Sequence, residues 1–132
     1  MASITLKPNL SMLKVISKAR QRDRPVGPLP SLLGQTVVLT GGSSGFGLAT
    51  ANILPTLGVA RLVLGVRSTE RGEAAAEKIR RANASCKVEV WELDMLSYHS
   101  VQAFAQRCAA LARLDVAILN AGVTKLEWVA NI

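Results

Sequence analysis

The chain has 132 residues, which allows one domain with a single core. An apolar fraction of 49% with 19% charged residues excludes a compositionally disordered chain, and no apolar run approaches the roughly 18 residues that span a bilayer. The formal net charge is +7, with one histidine and two cysteines (Cys86 and Cys108) that form no Cys-x-x-Cys pair, so a multi-His or Cys-rich metal site is excluded.

The charge is unevenly placed. Residues 1–30 carry Lys7, Lys14, Lys18, Arg20, Arg22 and Arg24 against Asp23, a balance of +5, which leaves +2 for the rest. The excess therefore belongs to an N-terminal arm. A solvated tail is its ordinary reading, and a loose hold on anionic membrane or nucleic acid is the alternative. No aromatic interleaving or reader motif accompanies it, so no specific nucleic-acid function is expected. Residues 1–22 contain no acid and several Ser and Thr, as mitochondrial transit peptides do, but the apolar positions of Leu10 to Lys18 share no clean helical face. Lysines interrupt every apolar run there, so no secretory signal core is evident. A cytoplasmic setting is expected, with a mitochondrial one as the alternative. Pro25-Val26-Gly27-Pro28-Leu29-Pro30 propagates neither helix nor central strand and reads as a linker. The expected division is an arm and linker over 1–30 and a folded domain over 31–132.

Gly34-Gln35 opens a first strand that runs through Leu39. A helix is expected from about Gly45 to Leu57, with Ala49, Ile53 and Leu57 on its stripe; Pro55 should kink or end it, and Gly58 stops it. Arg61 to Val66 is apolar enough for a strand buried on both faces of a parallel sheet. Ser68 or Thr69 can cap the next helix, which runs to about Arg81, with Glu70 and Glu73 at its positive end and Ala74-Ala75-Ala76 small enough to pack on a sheet. Lys87 to Leu93 is the third strand. Ser97 caps a third helix with the stripe Val101, Phe104, Ala105, Cys108, Leu111 and Ala112. Asp115 to Leu119 is the fourth strand, and Leu126 to Val129 can start a further helix. This alternation implies right-handed crossovers and an α/β, Rossmann-type parallel sheet with helices on both faces and order 3-2-1-4. Strand four would then be an uncovered apolar edge, which favours marginal stability or association with another chain.

Thr40-Gly41-Gly42-Ser43-Ser44-Gly45-Phe46-Gly47 lies between the first strand and the first helix. Such a turn aims backbone N–H groups and a helix N-terminus at one spot, which suits a phosphate. Gly41 and Gly47 serve the turn and the approach of helix to strand, and Gly45 lets the backbone come near a diphosphate. Ser43 and Ser44 either donate hydroxyl hydrogen bonds to the ligand or merely favour the turn. About twenty residues later, where an NAD site places Asp or Glu, stands Val66-Arg67-Ser68. No carboxylate there repels a 2′-phosphate, and Arg67 can pair with one.

This loop, with Asn120-Ala121-Gly122 after the fourth strand and Asp94 after the third, resembles the short-chain dehydrogenase/reductase family. The family loop T-G-x-x-x-G-x-G is matched at Thr40, Gly41, Gly45 and Gly47, and the resemblance covers roughly Leu33 to the C-terminus. It implies NADP as cofactor, held by Gly41, Ser43, Ser44, Gly45, Phe46, Gly47, Arg67, Asp94, Asn120, Ala121 and Gly122. Within that set it implies that Asp94 bonds the adenine amino group, although a cap of the following turn would also suit Asp94. It implies that Asn120 supports the adenosine ribose and the central strand.

The same resemblance implies hydride transfer between NADP(H) and an alcohol or carbonyl, with a Ser and a Tyr-x-x-x-Lys pair managing the proton. No catalytic residue can be assigned here. The only tyrosine is Tyr98, the residue four positions on is Gln102, and the chain ends at Ile132. The alternatives are a non-catalytic nucleotide-binding or interaction protein, which would self-associate or pair its open edge with a full-length relative, and an inactive fragment.

Overall fold

A computed structural model describes residues 27–122. The basic arm before Gly27 and the expected helix at Leu126 to Val129 lie outside these residues. Residues 27–30, the end of the Pro-rich stretch, are exposed and carry no regular structure.

Four parallel strands form one sheet: β1 (Thr36–Thr40), β2 (Arg61–Val66), β3 (Lys87–Glu92) and β4 (Val116–Leu119), in the spatial order β3-β2-β1-β4. The connections are α1 (Gly45–Ile53) with a 3₁₀ turn over Leu54–Leu57, then α2 (Thr69–Ala82) and α3 (Tyr98–Ala109). The register pairs Val38 with Val63 and with Ala117, and Val63 with Glu89. The architecture is the α/β Rossmann-type sheet expected from the alternation.

Successive residues of a strand face opposite sides, and the core divides accordingly. Val37, Leu39, Leu62, Leu64, Val66 and Val88 pack beneath α1 and α2 with Ala51, Leu54, Ala76 and Ile79. Val38, Val63, Trp91 and Leu93 face α3 and its Phe104. The Trp91 and Phe104 rings meet edge to face at 6.0 Å, and the Arg107 guanidinium covers Trp91 at 4.1 Å. Gly65 makes room for this layer: a β-carbon there would stand 2.8 Å from the Phe104 ring.

Two helical faces differ from expectation. Ala49 and Ile53 of α1 are exposed, and Gly47, Ala51, Leu54 and Pro55 are buried instead. The helix is rotated because Gly47 brings it against the glycine turn. Pro55 ends the α-helix as expected, and it also packs inward within the 3₁₀ turn, where its missing N–H costs nothing at the first positions. In α3 the stripe Val101, Phe104, Cys108 and Leu111 faces the sheet, whereas Ala105 and Ala112 are exposed at its margin. Of the alanine run in α2, Ala75 and Ala76 are buried and Ala74 faces out.

Side-chain bonds pin the sheet where its strands begin. Arg61 donates to Glu89 across β2 and β3 at 2.8 and 2.9 Å, and Lys87 joins the same carboxylate at 2.9 Å. Burial acts to raise the Glu89 pKa, but Lys87 and Arg61 together bring it below the usual carboxylate value. Asp115 accepts from the Thr36 N–H at 2.8 Å and from Arg113 at 2.7 Å, tying the start of β4 to β1. Burial pushes the Cys86 thiol pKa up, and Cys108 likewise, so neither has the character of a reactive thiolate. β4 is paired only with β1 among the described residues; Leu119 is 82% exposed at this edge. No described helix is long and apolar enough to cross a membrane.

Candidate functional site

The four strands end on one side of the sheet, at Thr40, Val66, Glu92 and Leu119. Between β1 and β4 the chain switches direction across the sheet, which opens a crevice beyond the strand ends. A cleft of about 680 Å³ lies there.

The glycine turn forms its floor. Gly41 continues the β1–β2 ladder, donating its N–H to the Gly65 carbonyl at 2.7 Å, and then turns at φ 74°. Gly45 turns again at φ 54° and starts α1. Gly47 has no room for a side chain: a β-carbon there would collide with the Gly41 carbonyl oxygen and stand 2.7 Å from Asn120 Nδ2. At Gly45, by contrast, nothing lies within 4 Å of where a β-carbon would project. The space in front of that backbone is therefore open, as close approach by a ligand requires.

Ser44 occupies the N-cap of α1 in an extended conformation, yet its hydroxyl makes no capping bond. The first amides of α1 are left without intrahelical acceptors, with the positive end of the helix directed at the cleft. This combination of free amides, a spare hydroxyl and a partial positive charge receives an anion.

The opposite wall is held by Asn120. Its carboxamide donates to the Thr40 carbonyl at 3.2 Å and reaches the Gly41 carbonyl at 3.4 Å, while the Ala121 N–H donates to Thr40 Oγ1 at 3.0 Å. Asp94 has a local role: its Oδ1 accepts from the Leu96 N–H at 3.0 Å, and its own N–H donates to Ser100 Oγ at 2.9 Å. The turn-capping alternative is thus realised, and the residue still lines the cleft. Arg67 leaves the end of β2 as an exposed guanidinium on the same wall.

Of the eleven residues singled out in the sequence, Gly45 alone is absent from the cleft wall; the other ten line it together. Sequence reasoning missed Arg71 and Met95, which also line it. The signal for Arg71 was its place four residues after Arg67, one helical turn into α2. Met95 carried no signal beyond following Asp94. Among the described residues no group of three or more His, Cys, Asp or Glu could hold a metal ion.

Comparisons with known proteins agree with this geometry. The family model described as short chain dehydrogenase matches residues 35–132. The short chain dehydrogenase virL of Hypocrea virens is 44% identical over 112 residues, covering 83% of this chain and 33% of its own length. The short-chain dehydrogenase fogG of Aspergillus ruber is 50% identical over 99 residues, covering 73% of this chain and 28% of its own. The chain thus spans about a third of the length of the curated relatives it matches. Among solved structures, a short-chain dehydrogenase from Sphingobium yanoikuyae in complex with NADPH superposes with a TM-score of 0.64 at 32% identity, over 69% of this chain and 35% of that one. The L-sorbose reductase of Gluconobacter frateurii, complexed with NADPH and L-sorbose, gives a TM-score of 0.64 at 28% identity, over 75% of this chain and 37% of that one.

Proposed function

The chain belongs to the short-chain dehydrogenase family, and from that premise we propose that residues 31–132 form an NADP(H)-binding domain that supplies the adenosine-diphosphate side of an alcohol/carbonyl oxidoreductase. The observation that carries this reading is the open space at Gly45 beside the uncapped Ser44 and the N-terminus of α1. A diphosphate fits there because amides and hydroxyl are already oriented and need not leave other partners. Arg67 selects the phosphorylated cofactor by charge-assisted pairing with its 2′-phosphate. Asn120, Ala121 and Gly122 form the ribose side, and Asp94 the adenine side, with its second carboxylate oxygen. The bound cofactor would supply the hydride; this chain's residues bind and orient it.

Calorimetric titration of the chain with NADPH tests the reading. Saturable uptake that is abolished in Gly45→Asp is the expected result. No uptake, or the same titration in the variant, would refute it.

A second reading has its own support: the 132 residues contain no Tyr-x-x-x-Lys, and Tyr98, the only tyrosine, stands 83% exposed at the start of α3. By itself the chain then binds nucleotide without turnover and uses the β4 edge to associate with a second copy or a longer relative. Sustained NADPH oxidation against a panel of carbonyl compounds would exclude that. The buried Cys86 and the free Cys108 suit a reducing compartment, and we place the protein in the cytoplasm, with the mitochondrion as the alternative.

A further inference from the structure

Seven arginines lie among the described residues, and five of them are engaged. Arg61 holds Glu89, Arg80 holds Glu73 and the Val88 carbonyl, Arg81 holds Glu77, Arg113 holds Asp115, and Arg107 covers Trp91. The two without a side-chain partner among the described residues are Arg67 and Arg71, and both line the cleft.

Their placement is set by the start of α2. Ser68 caps that helix, accepting from the Arg71 N–H at 3.4 Å, so Arg71 lies in the first turn immediately beyond the strand end that carries Arg67. Glu73, one turn from neutralising it, is drawn instead to Arg80 at 2.9 Å. Two unpaired guanidiniums side by side repel each other, and a multivalent anion between them removes that repulsion. A phosphate monoester carries a charge of about −1.5 to −2 and three acceptor oxygens, more than one guanidinium fork satisfies.

Resting on the cofactor reading above, we propose that Arg71 is a second specificity-determining residue, which grips the 2′-phosphate of NADP(H) jointly with Arg67. Discrimination against NAD(H) is then a property of the pair.

Titrations of the whole 132-residue chain with NADPH and with NADH, comparing wild type, Arg67→Gln, Arg71→Gln and Lys78→Gln, test this. Arg71→Gln is expected to weaken NADPH by roughly ten- to a hundredfold and to leave NADH unchanged, and Arg71→Lys to recover part of the loss. Lys78→Gln removes the same charge from the same helix outside the cleft and is expected to change neither ligand. Wild-type affinity for NADPH in Arg71→Gln, or an equal loss for both ligands, overturns the assignment. If Arg67→Gln alone loses NADPH, the cofactor reading stands and only the role of Arg71 falls. A wild-type chain that binds neither ligand, or both equally, overturns the cofactor reading and the assignment with it.

Discussion

The side-chain amide of Asn120 donates to the main-chain carbonyl of Thr40 at 3.2 Å, joining the end of β4 to the end of β1 where the glycine turn begins. The cleft is therefore closed on one side by a bond between residues eighty positions apart. The neighbouring bond from the Ala121 N–H to Thr40 Oγ1 repeats the connection. The floor and the far wall of the cleft thus move as one piece.

Asn120→Ala removes that tie and leaves the Thr40 carbonyl without it. A loss of about 1–2 kcal/mol in stability is expected, from one net hydrogen bond and a partly buried acceptor. Urea unfolding gives the magnitude. Hydrogen exchange should localise it, with faster exchange at Ile118 and Leu119 than at Leu62 to Leu64. Uniform acceleration across the sheet would argue against a local clamp.

Gly47→Ala tests the approach of α1 to the turn. Its β-carbon would collide with the Gly41 carbonyl, which is backbone and cannot rotate away. A cost of about 1–3 kcal/mol or more is expected for this overpacking, read as a lower urea midpoint. Gly45→Ala provides the contrast. It meets no neighbour, and only its φ of 54° is unfavourable, so about 1–2 kcal/mol is expected. If Gly45→Ala were the more destabilising of the two, the close contact assigned to Gly47 would be wrong.

The contrast between these glycines shows what was legible in the sequence. Their spacing marked the turn, and the strand-helix alternation fixed the sheet order, because parallel strands need helical crossovers of one hand. The inward face of α1 was not legible. Periodicity placed Ala49 and Ile53 inside, but the close approach at Gly47 rotates the helix so that Ala51, Leu54 and Pro55 pack inward. A residue without a side chain sets that rotation, and a hydrophobic pattern does not record it. Arg71 was missed for a related reason: on a helix surface it reads as any solvated charge until the cleft beside it is known.

The β4 edge should drive association. Leu119 is 82% exposed, and β4 has a strand neighbour on one side only among the described residues. Leu119→Lys places a charge on that edge, a common means of blocking edge pairing. Sedimentation over a range of concentrations is expected to show self-association in the wild type and less in the variant. A wild type that remains monomeric throughout would remove the edge as an interface.

Asp115 gives the fold a definite response to acid. Its pKa is lowered first by the Thr36 N–H it accepts and then by Arg113. A carboxylate with a depressed folded pKa contributes stability above its unfolded value, about 3.9, and that contribution disappears as pH falls through the folded value. Asp115→Asn keeps an oxygen for the Thr36 N–H but cannot titrate. Urea unfolding at pH 7 and at successively lower pH is therefore expected to show the wild type ahead of the variant near neutrality. The gap should close once the pH passes below about 3.9. A gap that stayed constant to the lowest pH at which both chains fold would mean that Asp115 does not couple protonation to the β1–β4 junction.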